Sequence, residues 1–342
     1  MKSGLTLPGD NLTQLVAKSV FGDKAVNLLR YGRINTPGSE VFRLEYRIDG
    51  APRALYVKLP KNGGNSEQTK SKVQQLQREY SLSDNIKSAF ESDCELQVVD
   101  PASFIKEING FVTWEVCGSS LQDKISRNLL FRYSRESPSL TRLAQLSGKW
   151  LRRFHSLDLA ADSIDFRRET LRYCVSRLEI LRRNTRSHVS DDLAASLKQK
   201  ILSWIDDALS GPDVKLILCH NDFSPHNIIV TDKGICILDF GYSTLGLPAF
   251  DLACFWHKLE DMKGSPVHGT RGLETMQHSF LQAYGCDFDT KRPDVKLGLL
   301  RLILSKMVTI MESGGLRRYS SISNRHRFRS YLSTLESDFD RP

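Results

Sequence analysis

Three short apolar runs, Leu216 to Cys219, Asn227 to Val230 and Ile235 to Leu238, set the tightest limit on what this chain can fold into. The polar turn Thr231-Asp232-Lys233-Gly234 joins the second and third, and such a turn between two β-rich runs predicts a hairpin. Closing the hairpin there sets Val230 opposite Ile235 and Asn227 opposite Leu238, so Asn227 and Asp239 reach the same end of the ribbon. Antiparallel pairing thus brings together two oxygen donors, a side-chain amide and a carboxylate. That donor set suits a hard cation that keeps several waters and shares phosphate oxygens, as magnesium does with a nucleotide.

Asp222 lies five residues before Asn227, on the loop leading into the hairpin. A carboxylate there can orient an attacking hydroxyl and accept its proton, and this Asp-to-Asn spacing is that of the catalytic loop of kinase-type phosphotransferases. His220 reads as a brace for that loop. Turn formation alone would account for any one of these residues. Charged residues rarely close apolar strands without a partner, so Asp222, Asn227 and Asp239 together argue for a site.

The pattern His220-x-Asp222-x-x-x-x-Asn227, then Asp239-Phe240-Gly241, then Gly246-Leu247-Pro248-Ala249-Phe250-Asp251-Leu252-Ala253 resembles the aminoglycoside phosphotransferase and choline kinase superfamily, a branch of the protein-kinase-like fold. The resemblance can be followed from about residue 30 to about residue 260. It implies an α+β, two-lobed fold, with a small β-rich nucleotide-binding lobe over residues 1–116 and a larger, mainly helical catalytic and acceptor-binding lobe over residues 117–342. It further implies ATP as phosphate donor, with GTP as the alternative, and magnesium on Asn227 and Asp239. Asp222 is the implied catalytic residue, and His220 and Asp251 support it, Asp251 by hydrogen bonds that brace the catalytic loop.

The N-terminal half carries weaker marks of the same kind. Val41 to Tyr46 and Ala54 to Leu59 are β-rich and joined by the turn Asp49-Gly50-Ala51-Pro52, with Lys58 in the second strand. There a kinase-like fold places the lysine that holds the α- and β-phosphates. Gln68 to Phe90 reads as a helix, with Glu79 available to pair with Lys58. The resemblance assigns the turn Asn35-Thr36-Pro37-Gly38-Ser39 to phosphate-covering amides, at Gly38 and Ser39, although it has only one glycine. It likewise assigns Phe111 to Gly118 to the strand and hinge between lobes, where backbone groups of Glu115, Val116 and Cys117 would meet the adenine edge. A buried strand ending at Gly118 is compatible with that role.

With 342 residues, 40% of them hydrophobic, the chain can bury one or two substantial cores. No apolar run reaches the ~18–20 residues that a membrane helix requires, and the first residues lack a signal-peptide core. A cytoplasmic protein is expected, with peripheral contact to a membrane surface left open. Seven scattered cysteines without a Cys-x-x-Cys pair argue against a disulfide framework or metal cluster, and Cys219, Cys236 and Cys254 read as small core residues. After the hinge, apolar residues recur at helical spacing: Leu143 to Phe154, Leu171 to Leu181, Leu193 to Ile205, Leu252 to Leu259 and Leu297 to Met311. His155 reads as a satisfied structural histidine.

Eleven residues separate Asp239 from Asp251 and no A-P-E motif follows, which disfavours a protein substrate. The acceptor is expected to be a small molecule, a glycan or a lipid headgroup with a free hydroxyl. The formal charge of +8, concentrated after the hinge between Arg127 and Arg186, opposes a polycationic aminoglycoside and favours an anionic acceptor such as a phosphorylated or acidic sugar. A solvated helical face explains the same arginines equally well. Choline or ethanolamine kinase activity is the second reading, with Phe250, Phe255 and Trp256 as aromatic faces for a quaternary ammonium, and an aminoglycoside kinase stays beside it as an alternative. A non-catalytic pseudokinase is the alternative of another class. Nucleic acid is disfavoured as a partner, and the basic segments Arg317-Arg318-Tyr319 and Arg325 to Arg329 are read as part of a packed C-terminal helix.

Overall fold

The computed structural model describes residues 9–35, 39–61, 66–129, 137–159, 164–211, 214–264, 269–313 and 322–339. Helix α1 (Gly9–Phe21) precedes strands β1 (Asn27–Asn35), β2 (Ser39–Ile48) and β3 (Ala51–Pro60) and the long helix α2 (Ser66–Phe90). Strands β4 (Leu96–Val98), β5 (Pro101–Ile105), β6 (Gly110–Trp114) and β7 (Ser119–Ser120) follow. Next come helices α3 (Leu121–Asn128), α4 (Pro138–His155), α5 (Phe166–Arg182) and α6 (Asp191–Leu209). Four short strands, β8 (Ile217–Cys219), β9 (Ile228–Val230), β10 (Ile235–Ile237) and β11 (Thr244–Gly246), lead into α7 (Ala249–Lys263), α8 (Thr270–Tyr284), α9 (Pro293–Glu312) and α10 (Ile322–Thr334).

These elements divide into two compact units, Met1–Asp123 with His226–Ser243, and Lys124–Pro225 with Thr244–Pro342. In the first, β2 and β3 pair through the turn at Asp49 and Gly50, both with positive φ, the geometry that the right-handed strand twist favours in a two-residue hairpin. The sheet runs β1-β2-β3-β6-β5. Alternation along β3 turns Leu55 and Val57 inward, where they pack with Leu12 and Val16 of α1 and with Leu44 and Val112. Each such burial contributes roughly 1.5–3 kcal/mol. Tyr56 and Lys58 therefore stand on the opposite face. The Tyr46 hydroxyl donates to the Thr13 carbonyl at 2.7 Å and fixes α1 over the sheet.

The hairpin expected at 227–238 forms in the expected register: Ile235 pairs with Val230 and Ile237 with Ile228, and the Leu238 amide donates to the Asn227 carbonyl at 3.0 Å. Thr231 closes the turn, its hydroxyl accepting from the amides of Lys233 and Gly234. β10 also pairs in parallel with β4, and β9 pairs with β7. This four-stranded sheet draws residues 226–243 into the first unit, whereas a division at residue 117 follows sequence order alone. Gly118 makes the crossing at β9 tight, because a Cβ there would lie 2.2 Å from the Val230 carbonyl oxygen.

Among the described residues the second unit is helical apart from the pair β8–β11 and its connections. The five apolar stripes read from the sequence lie on α4, α5, α6, α7 and α9. Gly148 lets α8 approach α4 closely, since a Cβ would meet the Phe280 carbonyl oxygen at 2.2 Å. Phe223 stacks with Trp150 at 5.6 Å and lies 6.2 Å from Phe280, which stacks on Phe255 at 4.0 Å. Phe255 is thus core, as its stripe suggested. Helix α10 buries Phe328 and Tyr331 in this unit, while Arg317-Arg318-Tyr319 lies outside the described residues. Cys219, Cys236 and Cys254 are buried, and all seven cysteines are free thiols. Among the described residues no helix is long and apolar enough to cross a membrane.

Candidate active site

In the first unit, β3, α2 and the end of the 227–238 hairpin converge on one ammonium. The Lys58 Nζ donates to both carboxylate oxygens of Glu79, at 3.0 and 2.9 Å, and to Asp239 Oδ1 at 2.8 Å. Burial opposes the charge on Lys58, but attraction from Glu79 and Asp239 outweighs it and raises the ammonium above its ordinary range. Glu79 is buried, and that burial, reinforced by Asp239 against the pull of Lys58, pushes its carboxyl up to about 7. The Asp239 side chain keeps 36% of its exposure, so the cluster has a dry end at Glu79 and a wet end at Asp239.

Local backbone aims these groups. Asp239 has φ +64°, a left-handed turn that ends the apolar run of β10 and redirects the chain into the turn at Phe240–Tyr242. The Gly241 carbonyl accepts from Gln75 Nε2 of α2 at 2.7 Å, and a Cβ on Gly241 would meet Glu79 Oε2 at 2.8 Å. Asn227 is buried at the same end of the hairpin as Asp239, its carbonyl held by Leu238. The two side chains together offer only oxygen donors to a cation, which fits a hard divalent ion. Ser39 opens β2 and is buried, and Gly38 lies outside the described residues.

Glu115 follows β6, and its amide donates to the Ala54 carbonyl at 2.9 Å. That donor is therefore engaged, whereas no backbone hydrogen bond is made by the Val116 or Cys117 amides among the described residues. The Glu115 carboxylate accepts from Arg43 Nε and Nη2 at 2.6 and 2.8 Å and from the Tyr56 hydroxyl at 3.0 Å. The Arg43 bonds hold the Glu115 carboxyl below its ordinary range. Arg43 and Tyr56 are register partners on β2 and β3, and Tyr56 shares a strand face with Lys58 two residues on. Sequence reasoning passed over both, because their partner lies 72 and 59 residues away.

In the second unit, Asp251 at the start of α7 is fully buried and organises the loop after β8. Its Oδ2 accepts from the His220 amide at 2.6 Å and contacts His155 Nε2 at 3.0 Å, while Oδ1 accepts from the Asn221 amide at 2.6 Å. The other nitrogen of His155 meets the Tyr284 hydroxyl at 2.8 Å. His155 is therefore a satisfied structural histidine, as read from the sequence. Asn221 has φ +61°, a conformation that asparagine tolerates better than most residues. The next residue is Asp222, whose amide donates to His220 Nδ1 at 3.3 Å and whose side chain is half-buried. His155, Cys219 and Asp251 cluster closely enough to hold a metal, but their hydrogen bonds already account for them, with the Cys219 thiol donating to the Leu247 carbonyl.

Comparison with known proteins adds three findings. The family model described as "Phosphotransferase enzyme family" matches residues 120–294, just over half of the chain. A stretch of 75 residues is 33% identical to ethanolamine kinase 2 of Mus musculus, covering 19% of this chain and only 20% of that protein's length. In fold, the chain is similar to the streptomycin–ATP–APH(2'')-IIa ternary complex, at 15% identity over 96% of this chain and 97% of that one, with a TM-score of 0.56. It is similar also to choline kinase LicA from Streptococcus pneumoniae, at 13% identity over 96% and 99% of the two chains and a TM-score of 0.57. An ethanolamine kinase of Plasmodium vivax gives 14%, 99%, 93% and 0.58. At such identities the likeness is one of fold, and it bears out the α+β, kinase-like architecture expected from the sequence.

Proposed function

We propose, from the premise that this chain belongs to the phosphotransferase enzyme family, that it transfers the γ-phosphate of ATP to a hydroxyl of a small-molecule acceptor. The observation that carries this reading is Lys58, held by Glu79 and Asp239 within 3.0 Å. A buried carboxylate fixes the ammonium where it can meet phosphate oxygens, and the half-exposed Asp239 is left to face solvent and a cation. Asn227 and Asp239 would hold magnesium, which neutralises phosphate charge when bound. The free Val116 and Cys117 amides would meet the base edge, with the Glu115 side chain fixed nearby by Arg43 and Tyr56. The choice between ATP and GTP rests on those groups.

Asp222 orients the acceptor hydroxyl and accepts its proton. Asp251, by binding the amides of His220 and Asn221, sets the direction in which Asp222 leaves the loop. Phosphoryl transfer asks the protein mainly for position and charge neutralisation, and these groups supply both. The test is turnover of ATP and GTP with magnesium against aminoglycosides, choline, ethanolamine, and neutral and anionic sugars. Asp222→Ala should lower turnover by about 10²–10⁴ while leaving nucleotide affinity nearly intact. Asp239→Ala should instead weaken magnesium-dependent nucleotide binding. Nucleotide binding without turnover of any acceptor would favour a pseudokinase, and absence of nucleotide binding would refute the proposal.

The local likeness to an ethanolamine kinase favours an amino-alcohol acceptor as the second reading. The aromatic faces invoked for it are otherwise engaged: Phe255 is core, Trp256 packs on Phe288, and Phe250 carries the guanidinium of Arg301.

A further inference from the structure

The second unit contains a cavity of about 460 Å³ whose wall includes Tyr173 and Arg177 of α5, Asn221, Thr244, Phe250 and Arg301 of α9. Part of the basic excess noted in the sequence is neutralised by ion pairs away from it. Arg167 pairs with Asp206, and Arg182 pairs with Glu179 and Asp191. At the cavity rim, Arg172 pairs with Glu169. Arg177 and Arg301 differ: among the described residues neither has a carboxylate partner, and both face the cavity.

Their placement is unusual for two like charges. The Arg177 guanidinium lies 3.3 Å from the centre of the Tyr173 ring, and that of Arg301 lies 4.6 Å from the same ring and 4.2 Å from Phe250. Two cations sharing one ring stand no more than about 8 Å apart, a separation at which their repulsion is felt unless an anion relieves it. Arg301 Nη1 donates to Asn221 Oδ1 at 3.3 Å, but among the described residues its buried Nε has no hydrogen-bond partner. A buried guanidinium N–H normally finds an acceptor, and the planar fork of arginine matches an oxyanion.

We propose that this cavity binds the oxyanion of an acceptor, a phosphate or a carboxylate, with Arg301 and Arg177 as its ligands. The proposal rests on the phosphotransferase reading and narrows it to anionic small molecules. Asn221, which Arg301 touches, is joined directly to Asp222, so an acceptor anchored at Arg301 is held beside the residue assigned to its hydroxyl. The same arginines cover the faces of Tyr173 and Phe250 and repel a quaternary ammonium.

The test titrates inorganic phosphate and acetate, side by side, into wild-type protein, Arg301→Gln and Arg177→Gln, each with the nucleotide site saturated by magnesium and a non-hydrolysable ATP analogue. Affinity for the analogue is measured first in all three proteins. The expected result is binding of one or both anions in the millimolar range or tighter, weakened about tenfold in each variant, with analogue affinity unchanged. The anion that binds more tightly identifies the source, phosphate ester or carboxylate. Equal binding by all three proteins, or none by wild type, would overturn the proposal. Loss of analogue binding in wild type would overturn the phosphotransferase reading on which it rests, whatever the anions do. Arg177 is half-exposed and lies on one helix face, so its variant keeps the test valid if Arg301→Gln does not fold.

Discussion

Replacing Asp251 with asparagine changes one atom and some charge, yet it should loosen the whole loop from His220 to Asp222. The carboxylate, itself fully buried, accepts two backbone amides at 2.6 Å and contacts one imidazole nitrogen at 3.0 Å. An asparagine keeps one acceptor oxygen. Its least costly orientation leaves that oxygen on His220 and His155 and turns the NH₂ toward the Asn221 amide, donor against donor. The loss is one charge-assisted bond, about 1.5–3 kcal/mol, plus a stranded buried donor, about 1–3 kcal/mol. A net local destabilisation of about 3–5 kcal/mol follows, which corresponds to about two orders of magnitude or more in the population of the opened loop. Hydrogen–deuterium exchange of the peptide covering 216–223 measures this directly. Exchange should rise at least a hundredfold in Asp251→Asn, with peptides of β2 and β3 unchanged, and turnover should fall with it. Exchange within about threefold of wild type would show that the loop does not depend on this carboxylate, and the reasoning would fail.

Glu79→Gln removes the charge that fixes Lys58 while keeping its shape; we expect KM for magnesium–nucleotide to rise about tenfold, with the melting temperature little changed, since the lost pair is offset by relief from burying a carboxylate. Gly118→Ala puts a Cβ 2.2 Å from the Val230 carbonyl oxygen, so β7 and β9 must part, and urea denaturation should show a loss of about 1–3 kcal/mol. His257 is pushed down to about 4 by burial and by Lys306, with Asp261 and Glu260 opposing and Lys258 adding a little, and Tyr331 of α10 packs against its ring. Its folded pKa is depressed, so its contribution is full above the ordinary value of 6.5 and is lost as pH falls toward 4, by up to about 3 kcal/mol. Denaturation between pH 7.5 and pH 4.5 should show this slope, and His257→Gln should flatten it; an unchanged slope in the variant would refute the assignment.

What the sequence made legible is what local spacing controls. The 227–238 hairpin was readable to the residue, because a polar turn and two short β-runs leave one register that pairs them. Helices α4 to α7 and α9 declared themselves by apolar periodicity. Strand β1 did not, and its exposure explains why: Leu28, Tyr31 and Ile34 each keep over 40% exposure on an edge strand, so no inward-outward alternation marks it. The parallel pairing of β4 with β10 links residues more than a hundred positions apart, and nothing in either segment names its partner. The same holds for Arg43, Tyr56 and Glu115, and for Arg301 over Phe250 and Tyr173. Each is an ordinary residue in its own segment and becomes a cluster only through long-range packing.

Backbone strain marks the places where these local and long-range parts meet. Among the described residues five non-glycine residues have positive φ, and Asp49, Asn109 and His188 lie in connections between elements. The other two are Asn221, immediately before Asp222, and Asp239, whose carboxylate contacts Lys58. A left-handed conformation costs an L-residue roughly 1–2 kcal/mol, less for asparagine and aspartate, and persists only where surrounding contacts hold it. At Asn221 those contacts are the Asp251 carboxylate and the Arg301 guanidinium. At Asp239 they are Lys58 and the turn that Gln75 secures through Gly241. Both kinks lie two residues beyond the end of a short apolar strand, β8 ending at Cys219 and β10 at Ile237. The carboxylate assigned to the acceptor thus directly follows a residue held in the left-handed region, and one of the two side chains assigned to the cation stands on such a residue. A sequence reading sees these positions only as short polar motifs after β-runs.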